Sequence, residues 1–147
     1  MPERYYRRSF AGCVVTDNEG RVLLVHTTYG DREWKVPGGI LESGEAPWEA
    51  ARRETREEVG LELGDLRLTG VYFIASRDAF GFMFRALDYS GTIRPDGREV
   101  DEARFFSPDS LPQPMTATAR RRILDALGPG PAPVLEVQHR EIPKGPR

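Results

Sequence analysis

Only one cysteine, Cys13, stands in this chain of 147 residues. An internal disulfide is therefore excluded, and the simplest expectation is a reducing, cytoplasmic compartment, with Cys13 a small buried residue inside the apolar run Phe10 to Val15. Long hydrophobic runs are missing as well. No stretch approaches a bilayer span, and the Arg- and Tyr-rich start Met1 to Phe10 lacks the apolar segment of a secretory signal, so a membrane is not expected as a partner. Nor is there an excess of positive charge: a net charge of −2 provides no basic field, which argues against polymeric nucleic acid. The two histidines, His26 and His139, are isolated. With no serine or cysteine paired to them, covalent nucleophilic catalysis has no candidate. The length fits one domain with a two- or three-layer core.

What is present is an orderly succession of elements. Alternating β-branched and aromatic residues predict strands over Tyr6 to Val15 and Arg21 to Thr27, joined as a hairpin by Asp17-Asn18-Glu19-Gly20. Tyr29 to Lys35 reads as a polar, mobile stretch. Val36-Pro37-Gly38-Gly39 and Glu42-Ser43-Gly44 read as an irregular loop. A helix is predicted to start near Pro47, whose missing amide proton costs nothing in a first turn, and to stop at Gly60. Leu66 to Ser76, Phe80 to Tyr89 and Val100 to Phe106 read as further strands, and the apolar spacing of Ala119, Ile123, Leu124 and Leu127 predicts a last helix over Thr116 to Leu127. From Gly128 a Gly-Pro alternation points to a tail, residues 128–147, with Val134 to Val137 as the part able to dock. Residues 1–127 then form one domain. Strands interleaved with helices make an α/β/α sandwich around a mixed sheet.

The most specific signal lies between Gly39 and Leu61. Gly39 is followed after five residues by Glu45, and after seven more by Arg53-Glu54-Thr55-Arg56-Glu57-Glu58-Val59-Gly60-Leu61. On a helix, Glu57 and Glu58 fall about 300° and 40° around the axis from Glu54, so three carboxylates share an arc of roughly 100°. Trp48, Ala51, Thr55 and Val59 occupy the neighbouring sector and are expected to bury against the sheet, with Arg52 and Arg56 facing out. Crowded carboxylates resist ionising together unless a cation neutralises them, and all-oxygen ligation selects Mg²⁺ or Mn²⁺. A merely solubilising helix could carry the same Arg-Glu pairs, but it would not need Gly39, Glu45 and Gly60 at fixed offsets.

This pattern resembles the Nudix box, with Thr55 standing where the family usually places an aliphatic residue. The resemblance implies the α/β/α fold and a metal-dependent hydrolase cleaving the pyrophosphate linkage of a nucleoside diphosphate derivative. It also implies roles. Glu57 and Glu58 would coordinate Mg²⁺ (or Mn²⁺) with the backbone carbonyl of Gly38, and Glu54 would be a further ligand or the general base. Arg53 would hold the acidic groups, supported by Glu45 and Gly39. Relatives also recruit the base from a later loop, where Glu99, preferred by position, and Glu102 are the candidates. The alternative is a nucleotide-sensing module that keeps the fold without hydrolysis; a diphosphate isomerase would need a cysteine better placed than Cys13.

Substrate choice is written outside the box. Tyr29, Arg32, Trp34, Phe73, Arg77, Phe82 and Phe84 have the aromatic faces or guanidinium groups that stack on a base or hold phosphate. The expected partner is a small nucleotide: a nucleoside triphosphate, nucleotide sugar or dinucleoside polyphosphate. Relatives of this type are often dimers, which leaves a homodimer open.

Overall fold

The computed structural model describes residues 8–139. The predicted first strand appears as β1 (Phe10–Val14), with Tyr6 and Arg7 outside the described residues. Its turn forms as expected: Asp17 Oδ1 accepts from the N–H groups of Glu19 (3.0 Å) and Arg21 (2.9 Å), and Gly20 takes φ 78°. The hairpin does not continue. β1 pairs in parallel with β7 (Ala79–Ala86) and antiparallel with β4 (Gly38–Ile40), so both of its edges are filled. Beyond a single bridge between Thr16 and Val22, β2 (Val22–Thr27) leaves to pair with β3 (Trp34–Lys35) and β9 (Val100–Phe106) in a second, antiparallel sheet.

The larger sheet runs β10-β6-β7-β1-β4, where β6 is Leu66–Ile74 and β10 is Val134–Gln138. It is mixed, because β10 lies parallel to β6 while β6 and β7 form an antiparallel hairpin. β5 (Glu62–Leu63) and β8 (Tyr89–Ser90) make a small ladder beside it. The segment expected to dock is thus an edge strand. Helix α1 (Pro47–Val59) packs on β1 and β4, and α2 (Ala117–Leu127) packs on β6 and β7.

Alternation along β1 divides the interior between the two helices. Ala11, Cys13 and Val15 point into a cluster with Ala50, Ala51 and Val59 of α1, whereas Val14 joins Tyr72, Met83, Ile123 and Ala126 beneath α2. This is the expected sandwich. Cys13 is fully buried, and burial pushes its thiol up to about 12. Thr55, also fully buried, donates its hydroxyl to the Ala51 carbonyl at 2.7 Å, so the departure from an aliphatic residue leaves no unpaired polar atom.

Two segments read as loop are strands. Trp34–Lys35 and Gly38–Ile40 are too short to display alternation, and glycine carries no side chain to mark a face. Gly38 is required by close approach rather than by a turn: a Cβ there would sit 2.4 Å from the Ala11 carbonyl oxygen on the neighbouring strand. Trp48 also differs from expectation, at 56% exposed. It lies in the overhanging first turn of α1, whose buried face begins at Ala50 and Ala51. Among the described residues no helix is long and apolar enough to cross a membrane.

Candidate active site

Helix α1 sets the geometry. Pro47 occupies its first turn, Glu49 Oε1 accepts from the Ala46 N–H at 3.0 Å, and Gly60 at φ 77° closes the end by donating to the Arg56 carbonyl at 2.9 Å. Arg52 donates to the Leu63 carbonyl and Arg56 pairs with Glu62 at 2.7 Å, so the face away from the acidic groups is tied to β5.

Arg53 organises the acidic face. Its Nε and one terminal nitrogen grip the two Glu45 carboxylate oxygens at 2.7 and 3.0 Å, a bidentate fork, and the same terminal nitrogen reaches the Ile40 carbonyl at 3.2 Å. The other terminal nitrogen donates to Glu54 at 2.9 Å and to Glu57 at 3.2 Å. Glu45 is held well below the usual carboxylate range chiefly by its hydrogen bonds to Arg53. The loop before α1 and the helix are thereby locked together.

Glu58 is the buried member, 1% exposed. One carboxylate oxygen accepts from the Gly38 N–H at 2.8 Å and the other from Lys35 Nζ at 3.3 Å, while Lys35 also donates to the Gly38 carbonyl at 2.8 Å. Burial outweighs these partners and pushes Glu58 up to about 7. Glu54 is likewise raised, by burial first, against the lowering effect of Arg53.

The carboxylate oxygens of Glu54, Glu58 and Glu99 converge within 4.8 Å of one another. Glu57 lies outside this trio, its side chain 58% exposed and drawn to Arg53. Glu99 comes from the loop before β9, fixed by Asp96, whose Oδ1 accepts from the N–H groups of Arg98, Glu99 and Val100 at 2.9, 3.1 and 3.0 Å. The Asp96 N–H in turn donates to the Glu58 carbonyl at 3.0 Å. Glu102 points elsewhere, grouping with His26 and Asp101 and pairing with Arg104. Gly39 lies against Glu54, where an added Cβ would come within 2.6 Å of the carboxyl carbon.

Lys35 and Asp96 were not singled out from the sequence. Lys35 was hidden in a stretch read as mobile; the Asp96-Gly97-Arg98 turn was the available signal for the second.

A cavity of about 430 Å³ opens beside Glu54 and Glu99, bordered by Tyr29, Ile40 and Arg53, and an adjoining one of about 390 Å³ is lined by Tyr29, Val36, Met83 and Arg77. Tyr29 and Arg77 therefore border the cleft. Burial and then the nearby Glu58, Glu99 and Glu54 charges raise the Tyr29 phenol. Arg32 is exposed at φ 52° and borders neither cavity. Trp34 is buried between His26 (ring centroids 5.1 Å) and Phe106 (5.0 Å), a core residue. Phe82 and Phe84 line a separate groove with Trp48, and Phe73 packs on Phe80.

All-oxygen donors converging at this spacing fit a hard divalent ion of the magnesium or manganese type. Without an ion the raised Glu58 has a signed consequence. Its folded-state value lies above its unfolded one, so the folded form binds the extra proton and stability falls as pH rises from about 4.5 to about 7. The full cost above that window is on the order of 3 kcal/mol. Thermal melts in chelator across this range are expected to show the decline, and Glu58→Gln to flatten it; an unchanged slope in the variant would exclude Glu58 as its source.

The pattern of the NUDIX domain family matches residues 6–127. A MutT-like protein of Streptomyces ambofaciens is 35% identical over 84% of this chain and 79% of its own length. The NAD-capped RNA hydrolase NudC of Vibrio atlanticus is 31% identical over 81% of this chain, which spans 46% of that relative. The crystal structure of a MutT NUDIX hydrolase from Burkholderia pseudomallei superposes with a TM-score of 0.72 at 26% identity, covering 80% of this chain and 96% of that one. The chain belongs to the Nudix family, and by class it is a pyrophosphohydrolase acting on phosphoanhydride bonds.

Proposed function

We propose that the protein is a Mg²⁺-dependent hydrolase, with Mn²⁺ as a substitute, that cleaves the pyrophosphate linkage of a small nucleoside diphosphate derivative. The convergence of Glu54, Glu58 and Glu99 carries this reading. Glu58, Glu99 and the Gly38 carbonyl would hold the ion, with Glu57 at the exposed rim. A bound divalent ion supplies neutralisation of phosphate charge during in-line displacement.

The remaining work belongs to the chain. Glu54 takes the proton of the attacking water: burial raises its pKa, which brings a carboxylate nearer the value a base needs at neutral pH. Arg53 fixes Glu54 against Glu45 and the Ile40 carbonyl, which limits misalignment of that base. Tyr29 and Arg77 border the cleft where the nucleotide would lie, Tyr29 offering a ring face and Arg77 a cation for phosphate.

The panel to offer the enzyme is nucleoside triphosphates, nucleotide sugars and dinucleoside polyphosphates, to which the name of the NudC relative adds NAD-capped RNA and NAD. Cleavage, followed as pyrophosphate release from triphosphates and as the paired phosphate-ester products from the other substrates, should require Mg²⁺ or Mn²⁺ and disappear with chelator. Glu54→Gln should lower kcat by roughly 10²–10⁴-fold, and Glu99→Gln by less. The reverse ranking would move the base to Glu99, and metal-independent release would end the proposal.

A further inference from the structure

Glu58 has one carboxylate oxygen to offer a cation. Its Oε1 accepts from the Gly38 N–H at 2.8 Å, a tie between β4 and α1, and its Oε2 accepts from Lys35 Nζ at 3.3 Å. The same ammonium donates to the Gly38 carbonyl at 2.8 Å and to the Val36 carbonyl at 3.3 Å. All three of its protons are thereby engaged. Two of the acceptors, Glu58 Oε2 and the Gly38 carbonyl, are the groups assigned above to the divalent ion. A cation belonging to the chain therefore stands on oxygens that the ion would use.

Lys35 is held less firmly than Arg53, the other cation of this face. Arg53 closes a bidentate fork on Glu45 at 2.7 and 3.0 Å. Lys35 makes single contacts from a flexible stem, and its 3.3 Å separation from Glu58 exceeds the roughly 2.7–2.9 Å of a strong charge-assisted bond. Its side chain is 27% exposed and lines the cavity of about 390 Å³ that Tyr29 and Arg77 also border. Rotation about the stem is enough to carry the ammonium from the acidic group into that cavity, with β3, β4 and the trio left in place.

We propose that Lys35 and the divalent ion compete for the same two oxygens, and that the displaced ammonium turns into the adjoining cavity to bind a substrate phosphate. This rests on the reading that Glu58 and the Gly38 carbonyl hold the ion. Like charges on shared acceptors repel, so Lys35 has no favourable position left beside Glu58 once the ion is seated. In the cavity it meets charge of the opposite sign, as a point-charge partner for a phosphate oxygen next to Arg77. The cleft thus gains a phosphate-binding cation only after its metal ligands are occupied, which orders the two binding events.

Lys35→Met keeps the stem and removes the charge. In nucleotide-free protein, manganese titration followed by electron paramagnetic resonance should show affinity rising about 10-fold in this variant, because a competing cation is gone. A lysine that only propped the Gly38 carbonyl would give the opposite sign, and an unchanged or weaker affinity would overturn the proposal. Displacement itself is read in the wild type. The chain has two lysines, Lys35 and Lys144, so acetylation with a soluble active ester can be followed at Lys35 by peptide mass. Saturating Mg²⁺ should speed modification of Lys35 severalfold and leave Lys144 unaffected; a rate at Lys35 indifferent to Mg²⁺ would overturn the exchange. With Mg²⁺ saturating, Lys35→Met should raise KM about 10-fold while kcat is retained, the pattern of a lost charge-assisted contact to bound substrate. An unchanged KM would remove the phosphate role. Absence of hydrolysis in the wild type would end the functional reading instead, since the manganese titration and the acetylation rates need no turnover.

Discussion

Glu58→Gln is expected to reduce kcat by roughly 10³-fold or more while leaving the protein folded, because charge stabilisation by a bound divalent ion is worth several kcal/mol in the transition state. Glutamine keeps the shape and still accepts from the Gly38 N–H, so the β4–α1 junction survives. What it removes is the negative charge at the centre of the acidic trio. Manganese binding followed by electron paramagnetic resonance should weaken in parallel with turnover. If activity fell but manganese affinity stayed at the wild-type level, Glu58 would be acting through the Lys35–Gly38 network instead of holding the ion.

The second large effect is expected at a residue without a side chain. In Gly39→Ala the new methyl would lie 2.6 Å from both the carboxyl carbon and one oxygen of Glu54, a separation that real contacts do not tolerate. Glu54 is clamped by Arg53, so relief must come from turning the carboxylate away from the trio. A displacement on the order of 1 Å at a reacting group costs about 10²-fold, and a kcat loss of that size with a nearly unchanged melting temperature is predicted. Gly38→Ala is the contrast. There the clash is with the backbone of β1, which cannot swing aside, so stability should fall together with activity. Equal, wild-type-like kinetics for Gly39→Ala would show that the position of Glu54 is not critical.

The acidic groups and their helix were legible because local rules decide them: Pro47 and Gly60 punctuate α1, and helical spacing alone brings Glu54 and Glu58 to one side. That spacing placed Glu57 with them; in the structure its side chain is 58% exposed and shares one Arg53 nitrogen with Glu54 at the rim of the group. The β1–β2 turn was readable from Asp17 and Gly20, whereas the parting of the strands depends on β4 and β7 arriving from distant sequence to fill both edges of β1. Trp34 could not be told from a base-stacking residue by type alone. Its burial follows from the pairing of β2 with β3 and β9, which brings His26 and Phe106 to its ring. Lys35 became visible only with that same short strand in place.

The triple acceptance by Asp96 Oδ1 makes the Glu99 turn a rigid bracket bolted to the end of α1 through the Glu58 carbonyl. A carboxylate contributed by a turn therefore inherits the orientation of the helix that carries its two companions. The conformational entropy of assembling the trio is settled when the chain folds, and no closing movement is needed before an ion can be received.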